Sequence, residues 1–206
     1  ENQRESMNIK EHVSLKEYTT FKIGGPARYF VIAQSIEEVM EALNFARERS
    51  LPLFILGGGS NILVADDGFD GLVLAVRIPG IISKEQGDHV LVSAGAGVVW
   101  DELVLWTIER RFAGFECLSG GPGTVGGAVV VNLGCYGSQS SDTFVSANVL
   151  DLQDPNGVPQ IFKKDVCHFS YHDSLFAREP GRYLILGATF ALSANGVPRL
   201  SYRDHR

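Results

Sequence analysis

Seven glycines and one proline fall within the twenty residues from Leu118 to Gly137, LSGGPGTVGGAVVVNLGCYG, and no other stretch of this 206-residue chain constrains its backbone so tightly. Glycine lacks a Cβ, so such a run suits sharp turns and close approach to another group. The apolar run from Ala128 to Val131 at its centre predicts a tight loop feeding a buried element. A second cluster, Gly57-Gly58-Gly59-Ser60-Asn61, follows the apolar run Leu53 to Leu56. Each cluster offers backbone N–H groups that suit a phosphate or a flat heterocycle lying against the main chain. Two such loops on one chain point to one extended ligand held at both ends.

The rest of the composition narrows the partners. A net charge of −6 and scattered basic residues, with no Lys/Arg stripe, argue against nucleic-acid binding. Cys117, Cys135 and Cys167 are odd in number and form no CxxC, so neither a disulfide framework nor a structural zinc site is expected and a cytoplasmic setting is. No apolar run nears the ~18 residues of a membrane span, and no secretory signal is visible. The first residue is Glu1, which leaves Met7 as a candidate natural start.

Taken in order, residues 1–17 read as a polar arm, and 18–32 as strand, turn and strand about Gly24-Gly25-Pro26. Ser35 and Glu38 form a capping box for a helix over 35–50 with Ile36, Val39, Met40 and Leu43 on one face. Strands follow at 53–56 and 72–76, giving a parallel βαβ-type layer over residues 28–78. The first glycine cluster does not open a helix, unlike a Rossmann turn: Ile62 to Ala65 reads as extended, then turning at Asp66-Asp67-Gly68. Residues 79–88 read as a loop, 90–95 as a strand, and 99–111 as a helix burying Leu103, Trp106 and the stem of Arg110. Residues 144–152, 158–163 and 183–192 read as an antiparallel sheet with a hairpin turn at Asp154-Pro155-Asn156-Gly157. His168 and His172 are spaced i, i+4, but on a loop or strand, so no metal pair is expected.

Five motifs occur in one order: Thr20-Phe21 with Gly24-Gly25-Pro26-Ala27; Gly57 to Asn61; Pro122-Gly123-Thr124-Val125-Gly126-Gly127-Ala128; Asn132-x-Gly134-x-Tyr136-Gly137; and Tyr171-x-Asp173-Ser174-x-Phe176. Together they resemble the UDP-N-acetylenolpyruvoylglucosamine reductases of peptidoglycan precursor synthesis, over about Leu15 to Tyr202. The resemblance implies an α+β, two-subdomain FAD-binding module of the vanillyl-alcohol-oxidase type. It assigns residues 18–80 to a small α/β subdomain, 81–195 to a second with the antiparallel sheet, and 196–206 to a linker towards a third, substrate-binding domain absent from this sequence. FAD, bound non-covalently, is expected between the first two. Gly57, Gly58, Gly59, Ser60, Asn61 and Ile62 would wrap its pyrophosphate. Pro122, Gly123, Thr124, Gly126, Gly127, Asn132, Gly134, Tyr136 and Gly137 would line the remainder, with Tyr136 alternatively a core aromatic. NADPH is the implied reductant and a UDP-sugar enolpyruvyl ether the implied substrate.

The same resemblance marks departures. An arginine beside the motif tyrosine steadies the developing enolate in the family, and His172 stands there, largely neutral at pH 7 and without the guanidinium fork. The family's serine acid and its glutamate belong to the third domain. Gly121, Val131 and Cys135 stand where isoleucine, a polar residue or Met, and alanine are usual; Cys135 reads as a small filler rather than a reactive thiol. Asp173 and Ser174 read as turn and capping residues. The expected function is the FAD-binding part of such a reductase. The alternatives are a non-catalytic FAD-binding or interaction protein, able to self-associate through the surface a third domain would cover, and a nucleotide binder that no longer holds flavin.

Overall fold

Four strands build the first unit of the chain, β1 (Lys10–Ser14), β2 (Pro26–Ala33), β3 (Leu53–Leu56) and β4 (Phe69–Val76), the last three rich in Val, Ile, Leu and aromatic residues. The computed structural model describes residues 7–154, 156–194 and 196. It divides the chain into two units, Glu1–Ile78 and Pro79–Arg206.

In the first unit the strand order is β1-β2-β4-β3, with β1 antiparallel to β2 and the other three strands parallel. Helix α1 (Ile36–Glu48) makes the crossover from β2 to β3. Ser35 Oγ accepts from the Glu38 amide at 3.1 Å, while the Glu38 carboxylate reaches the Gln34 amide at 2.6 Å, one residue before the reciprocal partner expected of a capping box. Central β4 is buried on both faces from Leu72 to Val76, which is why its sequence runs apolar without alternation. Tyr29 meets Phe45 of α1 edge-on at 5.3 Å, so the odd positions of β2 face the helix. On the other face Phe30, Leu56, Val73 and Ala75 pack with Leu15, and Ile62 and Val64 fold over them. Two expectations are corrected here. Residues 10–14 of the supposed arm are strand β1, and the strand expected from Tyr18 to the Gly24-Gly25 turn is not formed: Leu15–Tyr18 is a 3₁₀ turn and residues 19–25 are irregular before β2 begins at Pro26.

The second unit carries β5 (Ile81–Gln86), β6 (His89–Gly95), α2 (Trp100–Glu109), α3 (Val125–Val130), β7 (Gly134–Cys135), β8 (Ser138–Gln139), α4 (Ser140–Thr143), β9 (Phe144–Asp151), β10 (Gln160–Lys163), α5 (Leu175–Arg178) and β11 (Tyr183–Ser193). Its main sheet has the order β10-β9-β11-β6-β5, antiparallel throughout. Residues 81–86 are thus an edge strand, not part of a loop. The expected turn at 154–157 lies partly outside the described residues, since Pro155 is among those not described. Trp100, fully buried, anchors the core: its ring lies 5.0 Å from Phe115 and 5.9 Å from Phe190, and its Nε1 donates to the Leu118 carbonyl at 3.1 Å. The buried face of α2 is Trp100, Leu103, Val104 and Thr107; Trp106 is only half-buried, with the Arg110 guanidinium 3.9 Å from its ring centroid. No helix among the described residues is long and apolar enough to cross a membrane.

Candidate functional site

The first glycine cluster begins where β3 ends, and no helix follows it: residues 57–65 are irregular. Gly59 has φ 71°, a Cβ there would overlap the Tyr18 carbonyl oxygen, and its own carbonyl accepts from the Thr20 amide at 3.0 Å. Its lack of a side chain is therefore required by the fold of its own unit. The amides from Gly57 to Asn61 donate to no protein acceptor among the described residues. Gly57, Ser60 and Ile62 are half-buried, and Gly58 and Asn61 exposed. Successive unpaired N–H groups of this kind suit an anion.

The second cluster is built differently, since most of its amides are already used. Gly120 N–H donates to Asp101 Oδ1 at 2.6 Å, Gly121 N–H to Leu118 at 3.2 Å, and Trp100 N–H to the Gly123 carbonyl at 3.0 Å. The Val125 and Gly126 amides donate to Val98 and Ala96 at 2.9 and 3.0 Å, which seats the start of α3. Pro122 is exposed and Gly123, at φ 98°, half-buried. Thr124 occupies the N-cap of α3 but makes no capping bond, and its buried Oγ1 has no partner among the described residues. A Cβ on Gly127 would meet only that oxygen, at 3.8 Å. A buried hydroxyl without a partner is costly, so a ligand group reaching Thr124 past Gly127 would relieve the cost.

Asn132 ties the remaining predicted residues together. It is buried at φ 44°, and its Nδ2 donates to Gln139 Oε1 at 2.9 Å and to the Ser170 carbonyl at 2.7 Å. Its Oδ1 accepts from Ser140 Oγ at 3.3 Å and the Ser141 amide at 3.1 Å. All four side-chain positions are thus committed to protein. Gly134 starts the β7–β8 hairpin, whose central residues Tyr136 and Gly137 have φ 48° and 78°, the signature of a type I′ turn. Tyr136 is exposed at this tip, which excludes the core-aromatic alternative.

Ser170 and Asp173 close a second tight turn by reciprocal backbone bonds of 3.0 and 3.2 Å, with Tyr171 and His172 at its exposed tip and His172 at φ 50°. Ser174 Oγ caps α5 by accepting from Ala177 N at 3.3 Å and donates to the Val130 carbonyl at the end of α3, at 2.6 Å. Asp173 is held below the usual carboxylate range by its hydrogen bond with Arg178. Both residues are turn and capping groups, as expected. Cys135 Sγ donates to the Cys117 carbonyl at 2.9 Å and burial raises its pKa, which suits a filler rather than a reactive thiol. No cluster of three His, Cys, Asp or Glu suited to a metal occurs among the described residues.

Within the second unit, then, Thr124, Gly126, Gly127, Asn132, Gly134, Tyr136, Gly137 and the His172 turn share one hydrogen-bonded framework; Gly57 to Ile62 belong to the first unit. Sequence reasoning missed Gln139, which accepts from Asn132 and with Asp142 three residues on forms the capping box of α4; its Gln-x-x-Asp spacing departs from the usual Ser/Thr-x-x-Glu/Gln signature.

Residues 27–157 match the family described as FAD binding domain. The chain is 45% identical over 198 residues to UDP-N-acetylenolpyruvoylglucosamine reductase of Pseudomonas aeruginosa, covering 96% of this chain and 58% of that relative. It superposes with a TM-score of 0.74 on the Thermus caldophilus UDP-N-acetylenolpyruvylglucosamine reductase structure, at 28% identity over 91% of this chain and 63% of that one. A VAO-type flavoprotein from Myceliophthora thermophila shares the fold at TM-score 0.64 and 16% identity, over 83% of this chain and 32% of that one. An α+β module of the vanillyl-alcohol-oxidase type, spanning somewhat over half the length of its reductase relatives, carries two glycine loops with groups left open to a ligand: the chain belongs to the FAD binding domain family.

Proposed function

We propose that this chain is the FAD-binding part of a cytoplasmic, NADPH-dependent UDP-N-acetylenolpyruvoylglucosamine reductase. The observation that carries the reading is the unpartnered Thr124 hydroxyl beside the open Gly127, in a chain 45% identical to such a reductase. The residues present fit FAD. The unpaired amides from Gly57 to Asn61, with Ile62 packed below them, take the charge of the pyrophosphate. Thr124 Oγ1 takes a polar group of the cofactor where Gly127 leaves room, and Gly123, Gly126, Gly134 and Gly137 keep the neighbouring backbone slim. Asn132 acts through position: it holds the Tyr136 hairpin and the Tyr171–His172 turn to the end of α3. Hydride transfer is the chemistry that a bound FAD supplies. His172 is the group that faces substrate in place of the family's arginine, and without the two-pronged guanidinium it stabilises a developing oxyanion less well.

A second reading, a FAD-binding protein without the reductase activity, is favoured by His172 alone. NADPH oxidation dependent on the enolpyruvyl sugar nucleotide separates the two. The first reading predicts slow turnover in the FAD-loaded protein, raised about 10-fold or more by His172→Arg. Turnover unchanged by that substitution places the side chain away from the reacting atoms, and turnover raised by it supports the first reading.

A further inference from the structure

Arg77 follows directly on β4 and is set apart from the other arginines of its unit. Its amide donates to the Ala33 carbonyl at 2.7 Å, and its Nη1 donates to the carbonyls of Val76 at 2.8 Å and Leu56 at 3.5 Å. No carboxylate pairs with it among the described residues, whereas Arg28 and Arg49 have Asp70 and Glu48 and Arg47 is exposed. The side chain is half-buried; burial lowers its pKa, with the Tyr18 phenol the opposing neighbour. A guanidinium carries five N–H donors, and among the described residues only Nη1 is engaged. A partly desolvated cation with no counter-charge is unfavourable until an anion meets it.

Its place suggests which anion. Leu56 is the residue before Gly57, so the guanidinium lies at the carboxyl ends of the neighbouring parallel strands β3 and β4, where the glycine loop departs and where ligands of open parallel sheets bind. We propose that Arg77 is a diphosphate-binding residue, its free guanidinium N–H groups completing the anion site begun by the amides of Gly57 to Asn61. The choice of FAD diphosphate as the natural anion rests on the reading given under Proposed function, but the anion site can be tested without it.

The test titrates the wild-type chain, Arg77→Met and Arg77→Lys with FAD and, separately, with inorganic pyrophosphate, and follows thermal unfolding of the ligand-free proteins. Arg77→Met is expected to weaken both ligands about 10-fold to 100-fold, the range of a lost charge-assisted hydrogen bond, with Arg77→Lys between it and wild type and unfolding temperatures unchanged. Should Arg77→Met fail to fold, Arg77→Lys decides by the same readouts. Equal affinities across the three proteins, or a loss of affinity that only follows a fall in unfolding temperature, overturn the proposal. Arg77-dependent pyrophosphate binding in a chain that ignores FAD upholds it while refuting the flavin reading. Failure of the wild type to bind either ligand overturns both.

Discussion

The two glycine loops use the same residue type for opposite ends. Between Gly57 and Asn61 the backbone is irregular and its amides are unspent, so the site resides in the main chain. Between Pro122 and Gly137 the backbone is largely committed to a short helix and a hairpin, and the buried side-chain atom left without a partner among the described residues is Thr124 Oγ1, beside a glycine. Glycine serves packing at Gly59, where a Cβ would strike Tyr18, and leaves room at Gly127, where among the described residues a Cβ would meet only Thr124 Oγ1, at 3.8 Å. A glycine-rich motif therefore does not by itself say whether the missing Cβ makes way for the fold or for a ligand.

Substitutions break that comparison at its strongest point first. Gly59→Val brings both an overlap and an unfavourable φ, so it should cost about 3 kcal/mol or more in urea unfolding and remove FAD binding with it. Asn132→Ala removes four hydrogen bonds from a buried hub and should cost about 2–4 kcal/mol, loosening the Tyr171–His172 turn as read by amide exchange at residues 170–173. Gly127→Ala sharpens the contrast because its two effects have opposite signs. It should raise the stability of the ligand-free chain by about 0.5–1 kcal/mol through helix propensity, yet weaken FAD about 10-fold by filling the opening. Thr124→Val should leave ligand-free stability within about 1 kcal/mol, or raise it, while weakening FAD a few-fold.

A smaller effect concerns Cys167 in the same unit, whose thiol burial pushes up to about 12. A thiol of raised pKa contributes stability that is full below the unfolded value of ~8.5 and is lost as pH rises through the folded value. Stability should therefore fall from about pH 8.5 towards 12, and Cys167→Ala should flatten that fall in denaturant melts at stepped pH.

The outcome at particular residues shows what the sequence made legible. The parallel layer about β4 and the antiparallel sheet of β9, β10 and β11 were readable because apolar runs and turn residues were local signals. Strand β5 was not, because it is an edge strand in which only Ile81 is even half-buried and Lys84 and Glu85 break the pattern. Helix α3 was hidden by Gly126 and Gly127, poor helix formers that are held by tertiary bonds to Ala96 and Val98. The Asn132 knot joins residues up to 38 positions apart, and no local pattern reports a bond of that range. Gly59 and Gly127 look alike in sequence, and only three-dimensional neighbours distinguish them.

The most direct measurement of the central claim is a titration of the purified, flavin-free chain with FAD, followed by the absorbance of the bound isoalloxazine, in wild type, Thr124→Val and Gly127→Ala. One FAD per chain, held more weakly by both variants although neither loses more than about 1 kcal/mol of ligand-free stability, is the predicted result. A wild-type chain that stays colourless in excess FAD, or variants that bind it as tightly as wild type does, would contradict the account.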